Sequence, residues 1–156
     1  RFRPSLTTER NFFVSTPHFS LDAGGTPTAD GRFVDVSAIE PVEFVPGLAF
    51  QPVLGEKTLV NFVSFQPHTE APMHVHEEEQ IVIVLDGEFE FSIDGDVRTM
   101  RPGDVAVIPP WVPHGARTLD SRCTEVDVFT PPRRSLLEHA AAQVENKPAA
   151  DGATGA

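Results

Sequence analysis

From Phe33 onward, short runs of apolar and β-branched residues are parted by proline, glycine and acidic turns. Phe33–Val36, Val42–Val45, Leu48–Val53 and Thr58–Phe65 are such runs, separated by Pro41, Pro46-Gly47 and Gly55, and they predict strands. The segment from Glu88 to Ile93 alternates strictly, so Phe89, Phe91 and Ile93 share one face. Asp94-Gly95-Asp96 is a hairpin signal leading into Val97–Met100. Pro102-Gly103 turns the chain into Asp104–Ile108, and Thr124–Phe129 is the last clear strand. Many short strands with little helix predict an all-β sandwich or small barrel. The single helical pattern runs from Ser135 to about Val144, with Ser135 as cap, Glu138 at the capping-box position, and Leu136, Leu137 and Ala140 on one face.

The ends differ from this pattern. In residues 1–32, Phe2, Phe12, Phe13, Val14 and Phe19 alternate with polar residues and lead into the loop-forming Ala23-Gly24-Gly25-Thr26-Pro27. This predicts an arm packing its aromatics on its own barrel or on a neighbour's. The expected organisation is therefore an arm (1–32), a barrel (33–134), a short helix (135–147) and a disordered tail (148–156).

Composition narrows the class further. The 156 residues suit one domain with a real core. They are 40% hydrophobic, with no apolar run long enough to span a membrane. A formal net charge of −11 argues against nucleic acid or an anionic membrane as partner. The arm is nearly neutral, so the acidity sits downstream. Cys123 is the only cysteine, which excludes an intrachain disulfide and makes a reducing cytoplasm the expected compartment. A chain that begins with Arg1 is compatible with a removed leader.

The candidate chemistry lies in Pro72-Met73-His74-Val75-His76-Glu77-Glu78-Glu79-Gln80. On an extended segment His74 and His76 point to one side, and Gln80 shares its face with Val82 and Val84. Imidazole is the commonest transition-metal ligand, and His114 follows the block Pro109-Pro110-Trp111-Val112-Pro113. Glu77, Glu78 and Glu79 read as a solvated acidic run. His18, His68 and His139 read as surface histidines, and Trp111 as a hydrophobic lid on the loop that carries His114.

These two blocks resemble the paired motifs of the cupin family. His74-x-His76, Gln80 and Gly87 match the first motif in spacing, and Gly103, Pro109 and His114 match the second. Gln80 stands where the family usually has Glu, and Trp111 where the second motif has Gly. The resemblance covers roughly residues 43–134. It implies a cupin double-stranded β-helix, jelly-roll-like, holding one divalent transition metal (Fe, Ni, Zn, Mn or Co) on His74, His76, Gln80 and His114. Three imidazoles and an amide are a neutral set, leaving the ion's full charge to polarise a substrate.

Further on, Glu125, Asp127 and Phe129 share a strand face, opposite Thr124, Val126 and Val128. With the valines inward, the acids would meet water, but Phe129 would then be exposed beside two charges. With the other face inward, Asp127 is a carboxyl in a partly apolar pocket, suited to acid/base work. Arg133, after Pro131-Pro132, is placed to clamp a carboxylate.

Asp127-Val128-Phe129-Thr130-Pro131-Pro132-Arg133 resembles a cupin subgroup. Its members act on 4,5-unsaturated uronates or shift a double bond in a prephenate-derived keto acid. In the uronate members the matching aspartate, phenylalanine and arginine are active-site residues. The resemblance implies a metal-dependent isomerase or lyase moving a proton at a C=C bond of a small anionic acid, with Asp127, Phe129 and Arg133 as catalytic residues. An Fe(II) dioxygenase and a non-catalytic small-ligand-binding cupin are the alternatives, separable by oxygen consumption and by turnover. A homodimer using residues 1–32 is also expected, to cover sheet edges.

Overall fold

The computed structural model describes residues 24–145. Two compact units divide at Phe33/Val34, and among the described residues the second carries all the strands. Ten strands follow in chain order: β1 Val42–Val45, β2 Leu48–Leu54, β3 Leu59–Phe65, β4 Glu70–His74, β5 Glu79–Gly87, β6 Phe89–Ile93, β7 Asp96–Met100, β8 Val105–Ile108, β9 His114–Arg117 and β10 Cys123–Thr130. One helix, α1 (Arg134–Glu145), closes the described chain.

The strands form two antiparallel sheets, one of six in the order β1-β2-β3-β10-β5-β8 and one of four in the order β4-β9-β6-β7. The expected all-β, double-stranded β-helix is therefore present. Alternation explains which faces meet. β3 buries Leu59, Asn61, Val63 and Phe65, and β5 buries Gln80, Val82 and Val84. β10 buries Cys123, Glu125, Asp127 and Phe129. The inward face of the last strand is thus the acidic one, as Phe129 suggested. A Phe-rich core of Phe50, Phe65, Phe89, Phe91 and Phe129 fills the space between the sheets beside a cavity of about 330 Å³.

Turns follow the local chemistry. Asp94 and Gly95 both adopt positive φ (49° and 85°), the geometry of a two-residue hairpin matched to strand twist. Gly87, the closing residue of β5, has φ 74°, and a Cβ there would overlap the Arg122 carbonyl. Only glycine tolerates both conditions.

Several expectations need correction. Phe33–Val36 is not a strand; the chain makes a 3-10 turn at Val36–Ala38, capped by the Asp35 side chain accepting from the Ser37 N–H. Gln51 on β2 donates to the Val36 and Ile39 carbonyls and holds this turn. The helix begins at Arg134, so Ser135 lies inside its first turn rather than capping it. Leu136 is buried, with Leu137 and Ala140 packed against the core on the expected face. The short strand β9 was not legible, because Gly115 and Ala116 carry no strand signal. The aromatic arm lies outside the described residues through residue 23, as does the tail from residue 146. No described helix is long and apolar enough to cross a membrane.

Candidate metal centre and cavity

The two sheets meet at the histidines. His74 ends β4 and His114 opens β9, and the two are direct cross-strand partners on the four-stranded sheet. His76 lies in the segment leading to β5, and Gln80 enters from the six-stranded sheet. The His74, His76 and His114 rings have centroids 4.3–5.7 Å apart, and their ligating atoms lie within 4.8 Å of one another.

Each ring is oriented by its own neighbourhood. The Nδ1 atoms of His74, His76 and His114 stand 2.7, 2.9 and 2.8 Å from the carbonyls of Pro72, Glu78 and Val112. A carbonyl can only accept, so each Nδ1 carries the proton and each Nε2 is left with a bare lone pair. Burial, the largest influence on all three, pushes their pKa values down, in His114 to about 4. The imidazoles are therefore neutral near pH 7.

The Gln80 amide explains what those lone pairs face. Its Nε2 donates to Asp127 Oδ1 at 2.6 Å, which aims its Oε1 at the histidines. That oxygen lies 3.0 Å from His76 Nε2 and 3.1 Å from His114 Nε2. These are acceptors facing acceptors, with no proton to share. A cation resolves the conflict: first-row ions bind N and O donors at about 2.0–2.2 Å, which puts donors at right angles about 3 Å apart. The donor set therefore fits a divalent transition metal.

Asp127 is 7% exposed, and burial raises its pKa to about 7, against the opposing influence of the Gln80 hydrogen bond and the Arg133 charge. Glu125, two residues earlier on the same face, is raised too, first by burial and then by Asp127. Arg133 immediately precedes α1, with its guanidinium 5.5 Å from the Phe129 ring centroid. It makes no ion pair among the described residues, and its Nε is buried without a hydrogen-bond partner. His74, Gln80, His114, Asp127, Phe129 and Arg133 all line the one cavity.

Two residues depart from expectation. Glu78 is buried, with its carboxylate 3.3 Å from His76 Nδ1. Glu77 and Glu79 are exposed as expected. Glu78 continues the period of two of β5, since His76, Glu78, Gln80, Val82 and Val84 are buried while Glu77 and Glu79 are exposed, so the pattern was present and the acidic run masked it. Trp111 is 63% exposed and does not line the cavity, so it is no lid over it. It occupies the motif's glycine position with φ 66°, held by its N–H donating to the His76 carbonyl at 2.8 Å. His68 is an exposed partner of Asp120, and His139 packs on Phe44, 4.9 Å between centroids. His18 lies outside the described residues. Asn61 is a cavity residue that the sequence did not single out.

A family model described as "Cupin domain" matches residues 61–129. H2HPP isomerase of Bacillus subtilis is 39% identical over 64 residues, 40% of this chain and 27% of that protein. Quercetin 2,3-dioxygenase of Bacillus subtilis (strain 168) is 38% identical over 52 residues, 33% of this chain and 15% of that protein. The chain thus spans about a quarter or less of these curated relatives. The structure of KdgF from Halomonas sp. superposes with a TM-score of 0.65 at 28% identity, covering 69% of this chain and 99% of that one.

Proposed function

Since the chain is a member of the cupin superfamily, we propose that it is a metal-dependent isomerase or lyase that moves a proton at a C=C bond of a small unsaturated carboxylic acid. His74, His76, Gln80 and His114 would hold the divalent ion. When bound, the ion supplies a fixed positive charge that polarises a substrate oxygen. The observation that carries the reading is Gln80, whose oxygen faces the imidazoles while its N–H holds Asp127. A carboxyl with a pKa of about 7 is thereby positioned next to the donor set.

The chain's own residues divide the work. Arg133, free of ion pairs among the described residues, receives the substrate carboxylate in its planar fork. Phe129, 1% exposed under that guanidinium, excludes water and lies against the flat part of the substrate. Asp127 gives a proton to, or takes one from, carbon; a pKa near the working pH suits both directions. Kinship with an isomerase and with KdgF supports this reading.

The 38% identity to a dioxygenase motivates a second reading, Fe(II)-dependent oxygenation of a small organic substrate. One experiment separates them. Metal-reconstituted protein is screened against 4,5-unsaturated uronates and enol acids, following ultraviolet absorbance and dissolved oxygen together. Absorbance loss without oxygen uptake is the expected result; oxygen uptake stoichiometric with substrate overturns it in favour of the dioxygenase. Elemental analysis of His74→Ala and His114→Ala checks the ligand set, with metal loss expected in both.

A further inference from the structure

The cavity holds two polar atoms that neither the donor set nor the proton transfer uses. Asn61 Oδ1 and Glu125 Oε2 are buried and have no hydrogen-bond partner among the described residues, though both side chains line the cavity. Their residues are 3% and 4% exposed. They are diagonal neighbours on adjacent strands: Asn61 is the cross-strand partner of Asp127, and Glu125, opposite Val63, precedes Asp127 by two residues on the same face. A two-residue step along a strand is about 7 Å. Phe129 pairs with Gln80 at the metal-facing end of β10, whereas Glu125 pairs with Val84, toward the Cys123 end of the strand. Around this point the wall is apolar, with Val63 and Phe65 on β3 and Phe91 on β6. A buried polar atom left without a partner is costly, and natural interiors retain such atoms rarely.

We propose that Asn61 and Glu125 form a second polar pole of the cavity that hydrogen-bonds substrate hydroxyls remote from the carboxylate held by Arg133. The substrate class is then a hydroxylated acid rather than a hydrocarbon one. This rests on the reading of the cavity as an acid-binding site. Two unpartnered polar atoms on neighbouring strands offer partners to hydroxyls of one substrate, and the apolar wall around them disfavours a second charged group. A trapped water is the rival occupant, and it would give no preference between ligands.

The test is calorimetric titration of the full chain, with its metal, against D-galacturonate and cyclohexanecarboxylate, two six-membered-ring acids with and without hydroxyls. The expected result is a preference for galacturonate of about tenfold or more. Asn61→Leu and Glu125→Leu should erase that preference without weakening cyclohexanecarboxylate, while melting at or above the wild-type temperature because an unpartnered polar group has gone. Glu125→Gln, which keeps an oxygen in place, should retain most of it. Arg133→Met should weaken both acids alike. Equal binding of the two acids by the wild type, or a preference that survives both leucine variants, overturns the second pole and leaves the acid site standing. Failure of both acids to bind, or indifference to Arg133→Met, overturns the acid site and this pole with it.

Discussion

Gln80 is held at both ends, with its amide N–H on Asp127 and its oxygen before His76 and His114. A glutamate at this position would set a second carboxylate against Asp127 at hydrogen-bond distance, and the pair would have to share a proton. An amide avoids that contest and leaves the Asp127 proton unshared with a second carboxylate. Asp127→Asn is the direct test. It preserves an oxygen for the Gln80 N–H but cannot carry a proton to carbon, so turnover should fall by about 10²–10⁴-fold while bound metal, measured by elemental analysis, stays at the wild-type level. Arg133→Lys in the same assay should chiefly raise KM, because an ammonium cannot reproduce the planar fork.

At the scale of elements, β10 does the most. Its inward face runs Cys123, Glu125, Asp127, Phe129, and it is flanked by β3 and β5, so every inward carboxyl is walled on both sides. Its position depends on the β5 exit at Gly87, which pairs with Cys123 and whose missing side chain lets the Arg122 backbone approach. Gly87→Ala combines a positive φ with a backbone overlap, and neither can relax by rotating a side chain. Urea denaturation should show a loss of at least about 2 kcal/mol. Because β5 also carries Gln80, metal affinity should drop with it. Gly103, also at positive φ, has open space about its Cα, so Gly103→Ala should cost only the backbone strain, about 1 kcal/mol.

For the whole molecule, the buried titratable groups oppose one another in their pH dependence. His114 is neutral in the fold down to about pH 4, whereas an unfolded histidine takes up a proton near 6.5. Its contribution is therefore intact above 6.5 and lost as pH falls toward 4, by up to about 3 kcal/mol. Asp127 has the opposite sign: the fold holds a proton up to about pH 7 that the unfolded chain releases near 3.8. Its contribution is intact below 3.8 and lost as pH rises through 7. In chelator-treated protein, Asp127→Asn should therefore be more stable than wild type at pH 8, with the difference vanishing toward pH 4. A difference that is constant with pH would show that Asp127 is ionised in the metal-free fold. The aromatic arm belongs to this scale as well. Deleting residues 1–32 should shift a homodimer toward monomer or aggregate in light scattering, and an unchanged soluble dimer would separate the arm from assembly.

Local patterns were enough to identify most of the strands, the inward face of β5 and the hairpin at Asp94-Gly95, and Phe129 tipped the choice between the two faces of β10, because a period of two and the φ demands of tight turns are local properties of the chain. The spacing of His74, His76, Gln80 and His114 was legible for the same reason, since it repeats a motif along the sequence. Tertiary structure alone decided what the site can do. His74 and His114 are 40 positions apart by number and become direct neighbours only through β4–β9 pairing, and Gln80 meets Asp127 only because β10 inserts between β3 and β5. Trp111 faces outward at a glycine position, and Asn61 and Glu125 come onto one inward face from neighbouring strands. Each of these depends on long-range packing and on which polar atoms it strips of water, and neither is written in any local stretch of residues.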